Sequence, residues 1–217
     1  SSCSASSQHR LHSDALYLVS QRQRRWRPAV ASMGAAVAKL RHAHAGRPEI
    51  RLLLLGQCGS GKTSILAEFG RVATTVPTNG FCVKTVECHN LSFIALANEP
   101  DERFRPFLRH IYTNIHGLVY VVDSTDREHI DRARDELARM LRDDDLRDTV
   151  LLVLANKQDL PNAMTVAEVA EGLRLDNVWR RQWSIQSACA KTGAGVFEGL
   201  DWIEETVATS KATVLHH

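Results

Sequence analysis

The chain has 217 residues, of which 44% are hydrophobic and 24% are charged, and its formal net charge is +2. The length fits one α/β domain with an added tail, and the composition is ordinary for a soluble globular protein. No apolar run is long enough for a transmembrane helix or a secretory signal. The net charge says little about partners. We expect no nucleic-acid partner and a monomer.

The cysteines are scattered along the chain, without a C-x-x-C pair and without the spacing of a zinc site. They are Cys3, Cys58, Cys82, Cys88 and Cys189. An odd, scattered set predicts reduced thiols in a cytosolic compartment.

Residues 1–32 are rich in Ser, Arg and Gln and show little periodicity. The segment 1–48 holds one acid, Asp14, against eight Lys and Arg, so the remainder of the chain is net acidic. Three interpretations of residues 1–32 stay open: a disordered segment, an acid-poor organelle transit peptide, and a non-native leader before a true start at Met33.

Residues 33–48 are predicted to be a basic N-terminal arm, in which residues 34–44 can form a short helix. The apolar face of that helix is mostly alanine, so alone it would bind a membrane only weakly. If Met33 is the start, Gly34 becomes a candidate for N-myristoylation, although Ala38 stands where the motif has Ser or Thr.

A buried strand, a glycine-rich loop and a helix then follow one another. Leu52 to Leu55 predict a short strand buried on both faces. Next comes Gly56-x-x-x-x-Gly61-Lys62-Thr63, which is typical of a phosphate-binding loop because glycines let successive N–H groups turn inward. The helix predicted over 63–69 adds the positive end of its dipole.

In this loop Lys62 is expected to reach the β- and γ-phosphates, and the Thr63 hydroxyl is expected to ligate Mg²⁺. The alternative is a plain glycine turn between a strand and a helix. The nucleotide-binding residues predicted here are Gly56, Gln57, Cys58, Gly59, Ser60, Gly61, Lys62, Thr63 and Ser64.

The rest of the chain alternates strands and helices, which predicts a mostly parallel, six-stranded sheet with helices on both faces. A polar loop is predicted over 74–80. Further strands are predicted over 83–88, 91–96, 117–123, 150–155 and 183–188. Helices are predicted over 106–115, 127–141 (capped by Thr125 or Asp126), after the capping box Thr165-x-x-Glu168, and over 196–208.

Asn156-Lys157-Gln158-Asp159 directly follows a buried strand, where ligands of such sheets bind. The Asp159 carboxylate can accept two hydrogen bonds, which suits the N1–H and N2–H₂ edge of guanine, whereas adenine offers no such pair. Asn156 would complement the purine acceptors and the stem of Lys157 would cover the base. After the last strand, Cys189, Ala190 and Lys191 are predicted to offer backbone N–H groups to the guanine oxygen. The alternative for 156–159 alone is a solvated turn.

From about Glu49 to the last helix, the sequence resembles small GTPases of the ADP-ribosylation factor (Arf/Arl) family. The stretch 156–164 is close to diagnostic. Other matching runs are 74–78, 80–81, 85–87, 105–106, 109–110, 117–118, 121–124, 151–155 and 199–202. The resemblance implies a P-loop NTPase fold, a GTPase domain over 49–210 with a C-terminal tail over 211–217, and GTP or GDP with Mg²⁺ as ligands.

The resemblance also implies that Thr78 is the first-switch threonine, which would hold Mg²⁺ together with Thr63. The separation of Gly34 from Gly56 matches the spacing between the family's myristoylated glycine and its phosphate loop. Implied partners are an exchange factor, a GTPase-activating protein and effectors, with peripheral membrane contact through the N-terminal arm. The implied setting is the cytoplasm, the Golgi or other endomembranes, and the implied role is vesicle-mediated transport.

The second switch departs from the family pattern, which has Trp-Asp-Val-Gly-Gly-Gln where this chain has Leu-Ala-Asn-Glu-Pro-Asp over 96–101. Ala97 replaces the aspartate that holds Mg²⁺ through water. Pro100 stands at a glycine whose N–H contacts the γ-phosphate, and proline has no N–H. Asp101 occupies the position of the glutamine that orients the attacking water, so no catalytic residue is assigned and slow hydrolysis is expected.

Two alternatives stay open beside a GTPase switch. The first is a pseudo-GTPase scaffold with a fixed nucleotide state. The second is a sequencing or splicing artefact around residues 95–103. A P-loop phosphotransferase is disfavoured by the guanine-type motif at Asn156–Asp159.

Overall fold

A computed structural model describes residues 49–69, 72–78, 81–88, 91–96, 111–178 and 181–214, all within one compact unit, Arg47–His217. The predicted leader, the N-terminal arm with Gly34, and the second-switch residues 97–101 lie outside the described residues. The predictions on them therefore stay predictions.

The described elements alternate as the sequence predicts. The strands are β1 (Ile50–Leu55), β2 (Val72–Thr78), β3 (Phe81–Cys88), β4 (Leu91–Leu96), β5 (Gly117–Asp123), β6 (Val150–Asn156) and β7 (Trp183–Ser187). The α-helices are α1 (Lys62–Phe69), α2 (Ile130–Met140), α3 (Val166–Gly172) and α4 (Val196–Val214). Short 3₁₀ helices cover Asp144–Leu146 and Leu175–Asn177.

The strands form one sheet in the order β2-β3-β4-β1-β5-β6-β7. Strand β1 lies between β4 and β5 and is parallel to both, with Leu52 opposite Phe93 on one side and Leu54 opposite Val119 on the other. Strands β6 and β7 continue the parallel arrangement, while β3 is antiparallel to both of its neighbours, β4 and β2. The predicted α/β class with a mostly parallel sheet is confirmed.

Strand β2 gives the described sheet a seventh strand where the sequence analysis predicted a polar loop over 74–80. The segment is mostly polar, but it is rich in Val and Thr, whose branched side chains favour strands. Pro77 is opposite Cys82 in the register, and among the described strands β2 pairs only with β3. Proline is tolerated there because an edge strand leaves one row of backbone groups without a ladder partner.

The predicted strand β1 is buried on both faces, as expected for a parallel strand between two layers of helices. Leu53 and Leu55 belong to one apolar cluster, which includes residues of α2 and α3. Leu52 and Leu54 belong to a second cluster, which includes residues of α1 and α4. This packing fixes the point at which the chain leaves the sheet and enters the phosphate-binding loop.

Two helix starts differ in how well the sequence predicted them. The capping box of α3 is present, with the Thr165 hydroxyl accepting from the Glu168 N–H and the Glu168 carboxylate accepting from the Thr165 N–H. Helix α2 begins at Ile130, and its N-cap, His129, makes no side-chain capping bond. The predicted caps Thr125 and Asp126 lie in the preceding turn, because Thr125 bonds the Asp123 carboxylate instead.

Arg181, just before β7, forms hydrogen bonds with three segments near the amino ends of β6 and β7. Its guanidinium donates to the carbonyl oxygens of Leu141 at 2.9 Å and Leu146 at 3.0 Å, and to the Thr149 hydroxyl at 3.0 Å. Burial lowers the pKa of this guanidinium, and the nearby Asp148 carboxylate acts in the opposite direction.

Among the described helices, none combines the length and the apolar character that crossing a bilayer requires.

Candidate nucleotide-binding site

The loop between β1 and α1 has the backbone of a phosphate cradle. Gly56, Gly59 and Gly61 have φ of +136°, +78° and +101°, values that residues with a Cβ rarely adopt. A Cβ on Gly56 would lie 2.2 Å from the Val121 carbonyl oxygen, and one on Gly61 would lie 2.2 Å from Asn156 Nδ2. Glycine is therefore required at both ends of the loop by close contacts as well as by backbone angles.

Several backbone donors of this segment have no hydrogen-bond partner among the described residues: the N–H groups of Gly59, Gly61, Lys62, Thr63 and Ser64. Three of them belong to the first turn of α1, whose amide groups have no acceptor within the helix. Unpaired donors combined with the positive end of the helix dipole favour an anion such as a phosphate. The loop thus fits the group that its sequence pattern predicts.

Lys62 supplies a cation beneath the loop. Its side chain is buried, and Nζ donates to the carbonyl oxygens of Gly56 at 2.5 Å and Gln57 at 2.8 Å. Burial lowers the pKa of this ammonium, while the buried Glu136 carboxylate and the Cys58 thiol raise it. A partly desolvated ammonium has a weaker competing hydration shell, and it therefore attracts phosphate oxygens more strongly than an exposed lysine does.

Asn156, the last residue of β6, clamps the loop from the side. Its Nδ2 donates to the Ser60 carbonyl at 2.8 Å, and its Oδ1 accepts from the Ala190 N–H at 2.8 Å. The side chain is buried and both bonds are buried with it. One amide side chain therefore joins the phosphate-binding loop, the end of β6 and the loop after β7.

The loop after β7 uses its predicted donors differently from the expectation. The Ala190 N–H donates to Asn156, and the Cys189 N–H donates to the Ala194 carbonyl at 2.9 Å. The Lys191 N–H has no hydrogen-bond partner among the described residues. The predicted role of Cys189 and Ala190 toward a guanine oxygen stays a prediction, and their N–H groups would have to be shared to fulfil it.

The residues after Asn156 are directed to separate partners. Lys157 has a positive φ of 65°, and its Nζ lies 2.5 Å from Asp123 Oδ2. Gln158 donates from Nε2 to the Met164 carbonyl at 2.8 Å. Asp159 is exposed and has no hydrogen-bond or ion-pair partner among the described residues, so its two carboxylate oxygens are available to a ligand.

Asp123 lies at this site, although it is not among the site residues predicted from the sequence. Asp123 ends β5 directly opposite Asn156 in the parallel register. The signal was a single charged residue at the end of the apolar run 117–122, the same position that the polar motif occupies after β6. Without a known strand order, nothing placed the two strand ends side by side.

The metal-binding prediction rests on Thr63 and Thr78. Thr63 lies in the first turn of α1 and is exposed, with no partner among the described residues. Thr78 ends β2, and its side chain is not among the described ones. Where the structure describes side chains, there is no group of three or more His, Cys, Asp and Glu that could hold a metal ion. A hydroxyl ligand next to a bound phosphate remains the chemistry that fits Mg²⁺ here.

Comparisons with known proteins agree with this geometry. The family model of the ADP-ribosylation factor family matches residues 36–207. A structure of the small GTPase Arl6 (BBS3) from Trypanosoma brucei, solved with the bound nucleotide analogue GppNp, is similar with a TM-score of 0.63 and 28% sequence identity. That similarity covers 74% of this chain and 98% of the Arl6 chain.

Proposed function

Because this chain belongs to the ADP-ribosylation factor family of small GTPases, we propose that it binds GDP and GTP with Mg²⁺ at the loops joined by Asn156. The observation that carries the proposal is the pair of 2.8 Å bonds from Asn156 to Ser60 and Ala190. These bonds hold the phosphate-binding loop beside the segment that bears Asp159. Phosphate and base recognition are thereby built into one site at the carboxyl ends of the strands.

Guanine is the base favoured by the available groups. Asp159 offers two unengaged carboxylate oxygens to the N1–H and N2–H₂ donors of guanine. Adenine would leave that carboxylate without a donor, and a site of this kind rejects such an analogue by a factor on the order of 10⁴. Thr63, with Thr78, would hold the Mg²⁺, which neutralises phosphate charge when it is bound.

Calorimetry on the purified chain with GDP, GTP, ADP and ATP in Mg²⁺ tests this proposal. We expect binding of both guanine nucleotides and none of the adenine nucleotides at the same concentrations. Equal binding of ATP and GTP, or no binding of either, would overturn it.

An Asp159→Asn variant sharpens the test. The asparagine amide would donate to the C2 carbonyl oxygen of xanthine. The affinity for GDP should therefore fall and the affinity for xanthosine diphosphate should rise. Asp176→Asn, at an exposed aspartate of the second 3₁₀ helix, is the matched control and should leave the preference unchanged.

The proposal includes slow hydrolysis, which rests on the sequence of the second switch. Ala97, Pro100 and Asp101 lack the water-mediated metal ligand, the γ-phosphate N–H donor and the water-orienting amide that the family provides. Restoring all three as Ala97→Asp, Pro100→Gly and Asp101→Gln should raise the single-turnover rate on the order of 10²-fold. A restored variant no faster than the unmodified chain would contradict this part.

We further propose that the nucleotide state controls partners in vesicle-mediated transport at an endomembrane, with the basic arm and Gly34 contributing peripheral membrane contact. The support is family membership and the basic composition of residues 33–48. Flotation with anionic vesicles, with GDP or GTP bound, tests it. If vesicle binding were the same with GDP and GTP, and the same with and without the basic arm, it would refute a nucleotide-controlled membrane switch.

The altered second switch also favours a second candidate, a pseudo-GTPase scaffold. In that case partners would bind equally well whichever nucleotide is present, because a ligand without differential affinity for two states shifts nothing. Pull-down from extract with GDP-loaded and GTP-loaded chain discriminates the two functions: a partner set that changes with the nucleotide supports the switch.

A further inference from the structure

We propose that Asp123 is a positioning residue for the nucleotide, acting by holding the Lys157 side chain across the base-binding part of the site. This inference rests on the proposed guanine-nucleotide function and adds to it a residue to which the sequence motifs assign no role. It is carried by the contacts between the ends of the adjacent strands β5 and β6.

The anchor is well defined on the β5 side. The Asp123 carboxylate accepts from the Thr125 N–H at 3.0 Å and from the Thr125 hydroxyl at 2.7 Å, both at its Oδ1. Its other oxygen, Oδ2, faces Lys157 Nζ at 2.5 Å. Asp123 is therefore fixed by its own turn and presents one oxygen toward β6.

The backbone on the β6 side directs Lys157 toward this oxygen. Asp123 and Asn156 are opposite each other in the register, and Lys157 follows with a left-handed φ of 65°. This conformation is unfavourable for a residue with a side chain and persists only where surrounding contacts fix it. Here the Gln158 N–H bond to the Ala188 carbonyl at 3.2 Å fixes the chain on the far side of the turn.

The charges at this pair are complementary and only partly solvated, since the side chains of Lys157 and Asp123 are 31% and 18% exposed. Burial by itself would raise the pKa of the Asp123 carboxyl, but hydrogen bonds from Lys157 and Thr125 bring it below the ordinary value. Asp123 is therefore ionised at neutral pH. Lys157 neutralises a carboxylate that would otherwise repel a nucleotide.

The pair restricts a flexible side chain before the ligand arrives. A lysine has four rotatable bonds, and without an anchor its ammonium would be drawn toward phosphate charge at the neighbouring loop. With the ammonium held by Asp123, the methylene stem lies in one direction and can cover the face of a base. Ordering one such side chain in advance corresponds to roughly a three- to tenfold gain in affinity.

A double-mutant cycle on GDP affinity tests the proposal, with Asp123→Asn, Lys157→Met and the double variant measured by calorimetry. Methionine keeps the apolar stem and removes the ammonium. We expect Asp123→Asn to weaken GDP binding roughly three- to tenfold in the unmodified background. Beside Lys157→Met it should not weaken GDP binding further, because there it only removes a carboxylate that has already lost its cation. The matched control is Asp144→Asn, which removes the exposed ion pair with Arg147 and should leave GDP affinity unchanged.

The opposite results overturn the proposal in distinguishable ways. If Asp123→Asn does not change GDP affinity, or lowers it by the same factor in the unmodified chain and in the Lys157→Met background, then Asp123 does not act through Lys157. If the unmodified chain binds no guanine nucleotide, the proposed function fails and this inference fails with it. If urea titrations show that the Asp123→Asn variant is not folded, Thr125→Val replaces it. We then expect a smaller loss of GDP affinity, which should also disappear in the Lys157→Met background.

Discussion

Asn156 Nδ2 donates to the Ser60 carbonyl at 2.8 Å across 96 positions of sequence, so one amide side chain determines where the phosphate-binding loop lies relative to the base-recognition segment. The same side chain accepts from the Ala190 N–H, which brings in a third segment. The site therefore depends on a residue that bonds two other segments of the protein.

Asn156→Ala should both destabilise the fold and abolish nucleotide binding. It leaves the Ser60 carbonyl and the Ala190 N–H buried without their partner, which costs about 2–4 kcal/mol of unfolding free energy. Urea unfolding followed by circular dichroism measures the loss, and fluorescent GDP measures binding. Asn177→Ala, at an exposed residue, is the control; equal effects of the two substitutions would contradict the clamp.

Gly56 and Gly59 should respond very differently to replacement by alanine. A Cβ at Gly56 would lie 2.2 Å from the backbone oxygen of Val121, an atom of the central sheet, whereas a Cβ at Gly59 meets nothing within 4 Å. Gly59→Ala should cost only the left-handed strain, about 1–2 kcal/mol, and Gly56→Ala clearly more. Chemical denaturation of both variants makes the comparison. Equal losses would show that the close contact is relieved.

The unfolding free energy should fall as the pH drops from about 4.5 to about 2, because Glu168 in the capping box of α3 becomes protonated in this range. The Arg127 ion pair and the bonds from Thr165 lower the pKa of Glu168 from 4.5 to about 2. In this window the unfolded chain binds the proton that the folded chain excludes, so the unfolding free energy rises with pH there. Urea midpoints across the window should fall less steeply in Glu168→Gln. An unchanged slope would contradict this assignment.

Cys58 should react with maleimides and be protected by bound nucleotide. Its side chain is exposed within the phosphate-binding loop, whereas Cys189 is buried. We expect peptide mapping to find Cys58 modified within minutes in the free chain and spared in excess GDP, with Cys189 slow in both conditions. Labelling of Cys58 that GDP does not affect would place the nucleotide elsewhere.

Periodicity and motif spacing were sufficient to predict the parallel part of the sheet. Leu52 to Leu55 gave both the burial and the end point of β1, and Thr165-x-x-Glu168 gave the start of α3. Strand β2 was missed because residues 74–80 are mostly polar, and only the strand order shows that β2 lies at an edge of the described sheet. The start of α2 was missed because Thr125 bonds backward to Asp123.

In the site, the loop glycines and the polar motif after β6 were predictable because each is local in sequence. The hydrogen-bond partners of these residues were not predictable. That Asn156 engages the Ala190 N–H, and that Lys157 faces Asp123, depends on which strand ends are neighbours and on the left-handed turn at Lys157. Such pairings are set by tertiary contacts, which a single sequence does not reveal.

Arg181 lies at the end of the sheet remote from the phosphate-binding loop, where its guanidinium bonds the carbonyls of Leu141 and Leu146 and the Thr149 hydroxyl. A lysine could not replace it, because a single nitrogen cannot serve acceptors arranged around a planar fork. Because these bonds hold the amino ends of β6 and β7 in place, conformational changes that accompany ligand binding would be confined to the opposite end of the sheet.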